Sequence, residues 1–281
     1  VGGNGEFMGL LGWGERRIRT VWRIEKEGRT SALVGTAHFS PYRFKKPLTK
    51  LIHPSETILF EGPLDSESMA KVAEYGRHGE NTPSVYEALD PEAIQEINRQ
   101  FSVRIANQTI SRSYLEFIRP ANPNFLEVHT RGVRPWMAFL TIWSTLLNWE
   151  YFMDMEAFAI AQKLGKKIRF LETIEDQLAA LDGMPFERIV NYLNHAEKWK
   201  IHKDLFLKAF LKGEVEKFIS LTGEFPTRCD SIIQKRDPIF FKRMKPFFDE
   251  GKAVAFVGVG HIPGMIQMFR DEGYKVYQET S

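Results

Sequence analysis

Two apolar runs more than 200 residues apart, Ala32-Leu33-Val34 and Ala253-Val254-Ala255-Phe256-Val257, each lead straight into Gly-x-x-His. The phrases are Gly35-Thr-Ala-His38 and Gly258-Val-Gly-His261. Short β-branched runs of this kind read as buried strands, and a glycine at the end permits a sharp turn. Each histidine then lies just past the carboxyl end of a strand, where ligands and catalytic groups gather in open α/β sheets. The pair implies one site assembled from both ends of the chain.

The pattern recurs with carboxylates. Thr57-Ile58-Leu59-Phe60 runs into Glu61-Gly62-Pro63, and Lys167-Ile168-Arg169-Phe170-Leu171 runs into Glu172-Thr173. Glutamate is a poor strand former and gains little from burial. Taken singly, a strand-end His reads as a capped or surface group, and a Glu as a helix-start carboxylate favoured by the macrodipole. Glu172 suits that description, because Thr173-Ile-Glu-Asp-Gln177 starts a helix. The repetition of His, Glu, Glu and His at four strand ends is what points to function.

Thr20–Glu25 alternates, Glu-Gly-Arg turns and Ser31–Val34 returns, predicting an opening hairpin. Asp65 is placed to cap a helix through Met69, Val72, Ala73 and Gly76, and helices start again near Ser84 and at Pro91. From about 84 to 250 the only period-2 run is 167–171, and the end reverts to strand, helix and strand. The expected fold is α/β: a central mixed β-sheet formed by the N- and C-terminal parts, with a large helical insertion or cap between. Residues 8–281 read as one domain, and Val1–Phe7 (VGGNGEF) as a cloning remnant. The stretch 136–149 is apolar nearly all round. It therefore reads as core of the helical cap, with a homodimer or substrate-contacting surface as the alternative.

Composition narrows the partners. With 43% hydrophobic and 26% charged residues and a formal net charge of +2, nothing pulls the chain toward nucleic acid or anionic membrane. Arg43-Phe-Lys-Lys46 and Lys235-Arg236 are local clusters only. No run approaches the length of a membrane span, so a soluble protein is expected, cytoplasmic or a soluble domain of a membrane-associated one. A single cysteine, Cys229, excludes an internal disulfide and a CxxC metal knuckle, and its expected helical setting suits packing.

Val34-Gly-Thr-Ala-His38, Phe60-Glu-Gly-Pro63, Met153-Asp154, Phe170-Leu-Glu-Thr173 with Gln177, Arg236-Asp237 and Val257-Gly-Val-Gly-His261 together resemble the TraB / PrgY / GumN family. The ending Gly260-His-Ile-Pro-Gly264 with Gly273-Tyr-Lys-Val276 is the most specific part, and the resemblance spans residues 20–278. That family includes the Tiki proteins, described as metal-dependent proteases acting on Wnt ligands. Its wider relatives include erythromycin esterase-like and haem-binding ChaN-like proteins. The resemblance therefore implies a site more firmly than a reaction. Two departures stand out. The family usually has Arg-Asn where Arg236-Asp237 stands, which puts the role of the second residue in question. Many prokaryotic members also continue into a C-terminal membrane region, whereas the sequence in hand stops at Ser281, either cut there or a soluble version.

Two neutral imidazoles and a carboxylate form a sound first shell for a divalent transition metal with positions left for water. On this expectation His38 and His261 are ligands and Glu61 is the third ligand or the general base, with Glu172 in reserve for the other role. Asp154 is a further ligand or an acceptor orienting an imidazole N–H, against the plain alternative of a mid-helix Asp facing solvent. Arg236 suits a developing oxyanion or a substrate carboxylate, against a solvated helix arginine. Manganese, cobalt and zinc are all compatible, and affinity should weaken below about pH 6.5 as imidazole protonates.

The expected function is a metal-dependent hydrolase, most simply a peptidase with a peptide or protein substrate. The alternatives are a non-catalytic peptide-sequestering or signalling-inhibitor protein whose groove Trp136, Phe139 and Trp143 would line, an esterase of non-peptide substrates, and haem binding. No His-Glu-x-x-His helix or Gly-x-Ser-x-Gly elbow occurs. His53, His78, His195 and His202 have no ligand spacing to another histidine, and His129 falls in a stretch without a clear pattern.

Overall fold

The computed structural model describes residues 16–79, 81–109 and 125–279, so the expectation for Val1–Phe7 lies outside the described residues. The chain opens with the predicted hairpin, β1 (Val21–Lys26) and β2 (Arg29–Thr36). Its turn is Glu27-Gly28, with φ of 52° and 75°, the left-handed pair a two-residue hairpin loop requires. Then come α1 (Lys45–Ile52), β3 (Thr57–Phe60) and α2 (Ser66–Arg77). Asp65 caps α2 as expected, accepting from the Ser68 N–H at 3.0 Å. The helical stretch holds α3 (Val85–Ala88), α4 (Pro91–Thr109), α5 (Phe125–Thr130), α6 (Pro135–Leu147) and α7 (Met153–Lys163) before β4 (Lys167–Phe170). After it come α8 (Ile174–Asp182), α9 (Phe186–Asn194), α10 (Trp199–Lys212), α11 (Val215–Leu221) and α12 (Asp237–Glu250). β5 (Ala253–Gly258), α13 (Ile262–Asp271) and β6 (Lys275–Gln278) complete the fold.

The strands form one mixed sheet in the order β4-β3-β5-β2-β1-β6. β4, β3, β5 and β2 run parallel, while β1 is antiparallel to both of its neighbours. The α/β expectation therefore holds, with the sheet built from both ends of the chain and helices between. β5 lies between β2 and β3 and is buried along its whole length. That is why its sequence is continuously apolar rather than alternating. Parallel neighbours place their carboxyl ends on one rim, and Glu172, Glu61, His261 and His38 follow β4, β3, β5 and β2 in that spatial order.

One hydrophobic core packs on the sheet, with Phe60 stacked on Phe256 at 5.5 Å and Phe240, Phe248 and Phe269 behind them. A second lies among the helices around Trp136, Phe139, Trp143, Tyr192 and Trp199. α6 is thus core, as its nearly uniform apolarity implies. Its large aromatic residues are buried within the chain. Trp136, Phe139 and Trp143 therefore pack inside the helical part, while Met137, Leu140, Leu146 and Trp149 of the same stretch are half-buried.

Smaller expectations change as well. Cys229 is buried, but in irregular turns between α11 and α12 rather than in a helix. His195 stands at the end of α9, and His129 falls in α5. Among the described residues no helix is long and apolar enough to cross a membrane.

Candidate active site

Backbone pairing brings the rim residues together. The N–H groups of Leu171 and Glu172 both donate to the Glu61 carbonyl, at 2.9 and 2.8 Å, so the two glutamates emerge side by side. On the other flank, Ser40 and Tyr151 exchange backbone hydrogen bonds of 2.8 and 3.1 Å, and the rings of Phe39 and Phe152 stand 4.8 Å apart. This clasp sets His38 against the start of α7, where Asp154 lies in the first turn rather than mid-helix. Asp154 Oδ2 is 2.8 Å from His38 Nδ1.

His261 has a matching partner. Asp237, the first residue of α12, places Oδ1 2.6 Å from His261 Nδ1, and both side chains are buried. The residue left in question by its departure from the family pattern therefore orients the second histidine. Each imidazole is held at Nδ1 by a carboxylate, which leaves Nε2 for the site, the arrangement commonly found behind metal-ligating histidines.

The glycines chiefly serve space. Gly35 lies inside β2, so no turn occurs there, while at Gly258 the chain does turn from β5 into a short 3-10 helix, but with an ordinary φ of −53°. A Cβ on Gly35 would sit 2.9 Å from Ile262 Cγ1, so Gly35 lets α13 approach β2. A Cβ on Gly258 would sit 3.2 Å from Glu61 Oε1, 3.3 Å from His38 Nε2 and 3.7 Å from His261 Cδ2. Both histidines and Glu61 thus surround one point, as the shared-site argument required. Gly264 is needed because Asp237 Oδ2 occupies the volume of its missing side chain, only 2.1 Å from a Cβ there.

Arg236 is the central cation. It is 8% exposed, not the solvated helix arginine of the plain reading. Nε donates to Glu172 Oε2 at 2.8 Å, and Nη2 donates to Glu172 Oε1 at 2.5 Å and Glu61 Oε2 at 2.8 Å. Nη1 donates to the Ile232 carbonyl at 3.2 Å and faces His261 Nε2 at 3.4 Å. With five N–H groups available, one remains, and it points at the histidine. The fork is therefore already committed, so a bidentate clamp on a substrate carboxylate is not open to Arg236.

The electrostatics follow from this packing. Burial opposes ionisation of Glu61, but Arg236, then His261 and His38, and the Gly258 N–H at 2.5 Å bring its pKa to about 2. Burial pushes the Glu172 carboxyl up, with Arg236 pulling the other way. Burial likewise works against the Arg236 charge, yet Glu61 and Glu172 hold its proton more tightly than usual. At His38, lost hydration opposes the imidazolium. Asp154, by charge and hydrogen bond, and the Glu61 charge outweigh it and raise the pKa to about 9.

A family sequence model, for the TraB/PrgY/gumN family, matches residues 20–278. The chain belongs to that family. No curated protein matches it.

The donor chemistry of this TraB/PrgY/gumN site suits a divalent cation. Glu61, Glu172, Asp154 and Asp237 set four carboxylates against the one guanidinium of Arg236, a formal −3 with both imidazoles neutral. His261 Nε2 and Glu61 Oε1 are 3.6 Å apart, and two donors on a tetrahedral ion at about 2.0–2.1 Å stand roughly 3.3 Å apart. Among the described residues no three His, Cys, Asp or Glu side chains already stand as a ligand set, so holding an ion here would take a small closure.

Sequence reasoning named the four rim residues, Arg236 and Asp154, which the structure brings together. It did not assign Asp237 its partner, although adjacency to Arg236 at a helix start was the available signal.

Proposed function

We propose that this rim is the active site of a metal-dependent hydrolase, and of a peptidase in particular. The observation that carries the reading is the carboxylate behind each imidazole, Asp154 on His38 and Asp237 on His261, turning both Nε2 atoms toward Glu61. His38, His261 and Glu61 would hold the ion, with manganese, cobalt and zinc all compatible with the donors. When bound, such an ion supplies Lewis acidity toward a carbonyl and toward water. Glu61 acts as ligand rather than base, because a carboxylate of pKa about 2 takes up protons poorly near neutrality. Arg236 offers its remaining Nη1 N–H to the oxygen that gains charge as a peptide carbonyl is attacked. Glu172 acts through Arg236 as a positioning residue and Asp154 through His38, neither touching the substrate.

Chelator-stripped protein should lose cleavage of a fluorogenic peptide library and recover it with manganese, cobalt or zinc. His38→Ala and His261→Ala should each lower it by several orders of magnitude with an unchanged circular dichroism spectrum. Binding of peptide without turnover under all these conditions would instead identify a sequestering protein.

One observation favours a second reading. The Arg236 guanidinium reaches to 3.4 Å from His261 Nε2 and offsets part of the negative charge unaided. In a metal-free hydrolase, His261 held by Asp237 would take the proton from water, Arg236 would stabilise the oxyanion and His38 would protonate the leaving group. Activity that survives chelation but not His261→Ala would select it.

A further inference from the structure

Arg228 lies in the turns between α11 and α12 and forms no ion pair with any described residue. Nε donates to Thr222 Oγ1 at 3.0 Å, and the guanidinium carbon stands 5.3 Å from the centre of the Phe218 ring. The Nη1 and Nη2 groups make no hydrogen bond to the described residues, and neither is sealed from solvent. Burial alone acts on its proton, lowering the pKa to about 10. Four N–H groups of a half-buried guanidinium are thus left to solvent and free to meet an anion.

Its position is specific. The guanidinium lies over Gly260, one residue before His261, and a Cβ at 260 would sit 1.5 Å from Nη1. Gly260 has no positive φ, so backbone conformation does not demand a glycine there, whereas the space taken by Arg228 does. Arg236 cannot grip a substrate carboxylate because its fork is full, and the nearby fork that is free belongs to Arg228.

On the hydrolase reading above, we propose that Arg228 is a substrate-binding residue that holds a carboxylate next to the reacting bond, a free C-terminus or an acidic side chain. A planar fork matches a planar carboxylate. The surplus negative charge of the neighbouring rim tolerates a monoanion better than a dianionic phosphate.

The test uses binding and not turnover. The probes are N-acetyl-phenylalanine against its amide for the C-terminal source, and N-acetyl-glutamate α-amide against the glutamine equivalent for the side-chain source. Each is titrated into the full chain while the Arg228 Nε–Hε NMR signal is followed, assigned by its loss in Arg228→Lys. At least one acid should shift the signal saturably and bind about tenfold to a hundredfold tighter than its amide. Whichever acid does so identifies the source. Gly260→Ala meets the ends of two side chains, Arg228 and, at 3.1 Å, Ile233 Cδ1, so it should fold and weaken that acid at least tenfold. Acids that shift the signal no more than amides, inorganic phosphate that shifts it as strongly, or acid binding unchanged in Gly260→Ala would each overturn the assignment. Carboxylate binding at Arg228 in a protein that cleaves no peptide would leave this site standing and remove the hydrolase reading instead.

Discussion

Replacing Asp154 by Asn keeps an acceptor near His38 Nδ1, now 2.8 Å from the Asp154 carboxylate, and removes only the charge. Lost hydration opposes the His38 imidazolium, and Asp154 is the main group that overcomes it, giving a pKa of about 9. A rise from the ordinary 6.5 to that value is about 3 kcal/mol at face value. The His38 side chain is 60% exposed, so water screens the pair and about 1 kcal/mol of stability survives. The sign follows from a raised folded-state pKa. The contribution is fully present below pH 6.5 and is lost as pH rises through about 9. Urea unfolding should therefore find Asp154→Asn less stable by about 1 kcal/mol at pH 6 and equal to the parent near pH 10. NMR titration of metal-free protein should find the His38 pKa lowered by at least about one unit. An unmoved pKa, or the same destabilisation at both pH values, would refute the reasoning. The pair also changes the expected pH dependence of metal uptake. A proton held up to pH 9 must leave before His38 can ligate, so affinity should keep rising to about pH 9 rather than level off above 6.5. Near pH 7, calorimetry in buffers of different ionisation enthalpy should show release of about one proton per ion.

Arg236→Met leaves Glu61 and Glu172 facing each other without their cation, and should cost about 3–5 kcal/mol in urea unfolding; a loss below about 1 kcal/mol would mean the buried charges are not coupled through it. Gly258→Ala puts a methyl group 3.2 Å from Glu61 Oε1 and 3.3 Å from His38 Nε2 on a backbone of ordinary φ. Unfolding should change by no more than about 1–3 kcal/mol while uptake of manganese, cobalt or zinc falls at least about tenfold, and full-strength uptake would place the ion elsewhere.

The rim was legible because parallel strands impose a simple rule. Continuous apolar runs mark buried strands, and the polar residue that ends each run must stand at the carboxyl edge. That rule located His38, Glu61, Glu172 and His261 without any knowledge of pairing order. The strand-end rule by itself does not reach Asp154 and Asp237, because both sit on helices whose docking brings them to histidines 116 and 24 residues away. The second demand on the glycines stayed hidden for the same reason. Local sequence suggests a turn, while the demand on Gly35 and Gly258 comes from Ile262 and from Glu61 and His38, all distant in the chain. The apolar face of α6 was read correctly as core because periodicity reports burial directly, whatever the partner.

This topology ties the site to global folding. β2 and β5 pair in register, Val34 with Phe256 and Thr36 with Gly258, although the whole helical stretch separates them. His38 and His261 therefore meet only after that long-range pairing forms, and Asp237 and Arg236 reach them only once α12 has docked. No partly folded segment from one end of the chain holds both histidines. Any ion or ligand bound between them stabilises the fully folded state by RT ln(1 + [L]/Kd), about 2.7 kcal/mol at a hundredfold excess over Kd. Affinity for the site and resistance to unfolding should consequently rise and fall together across the rim variants.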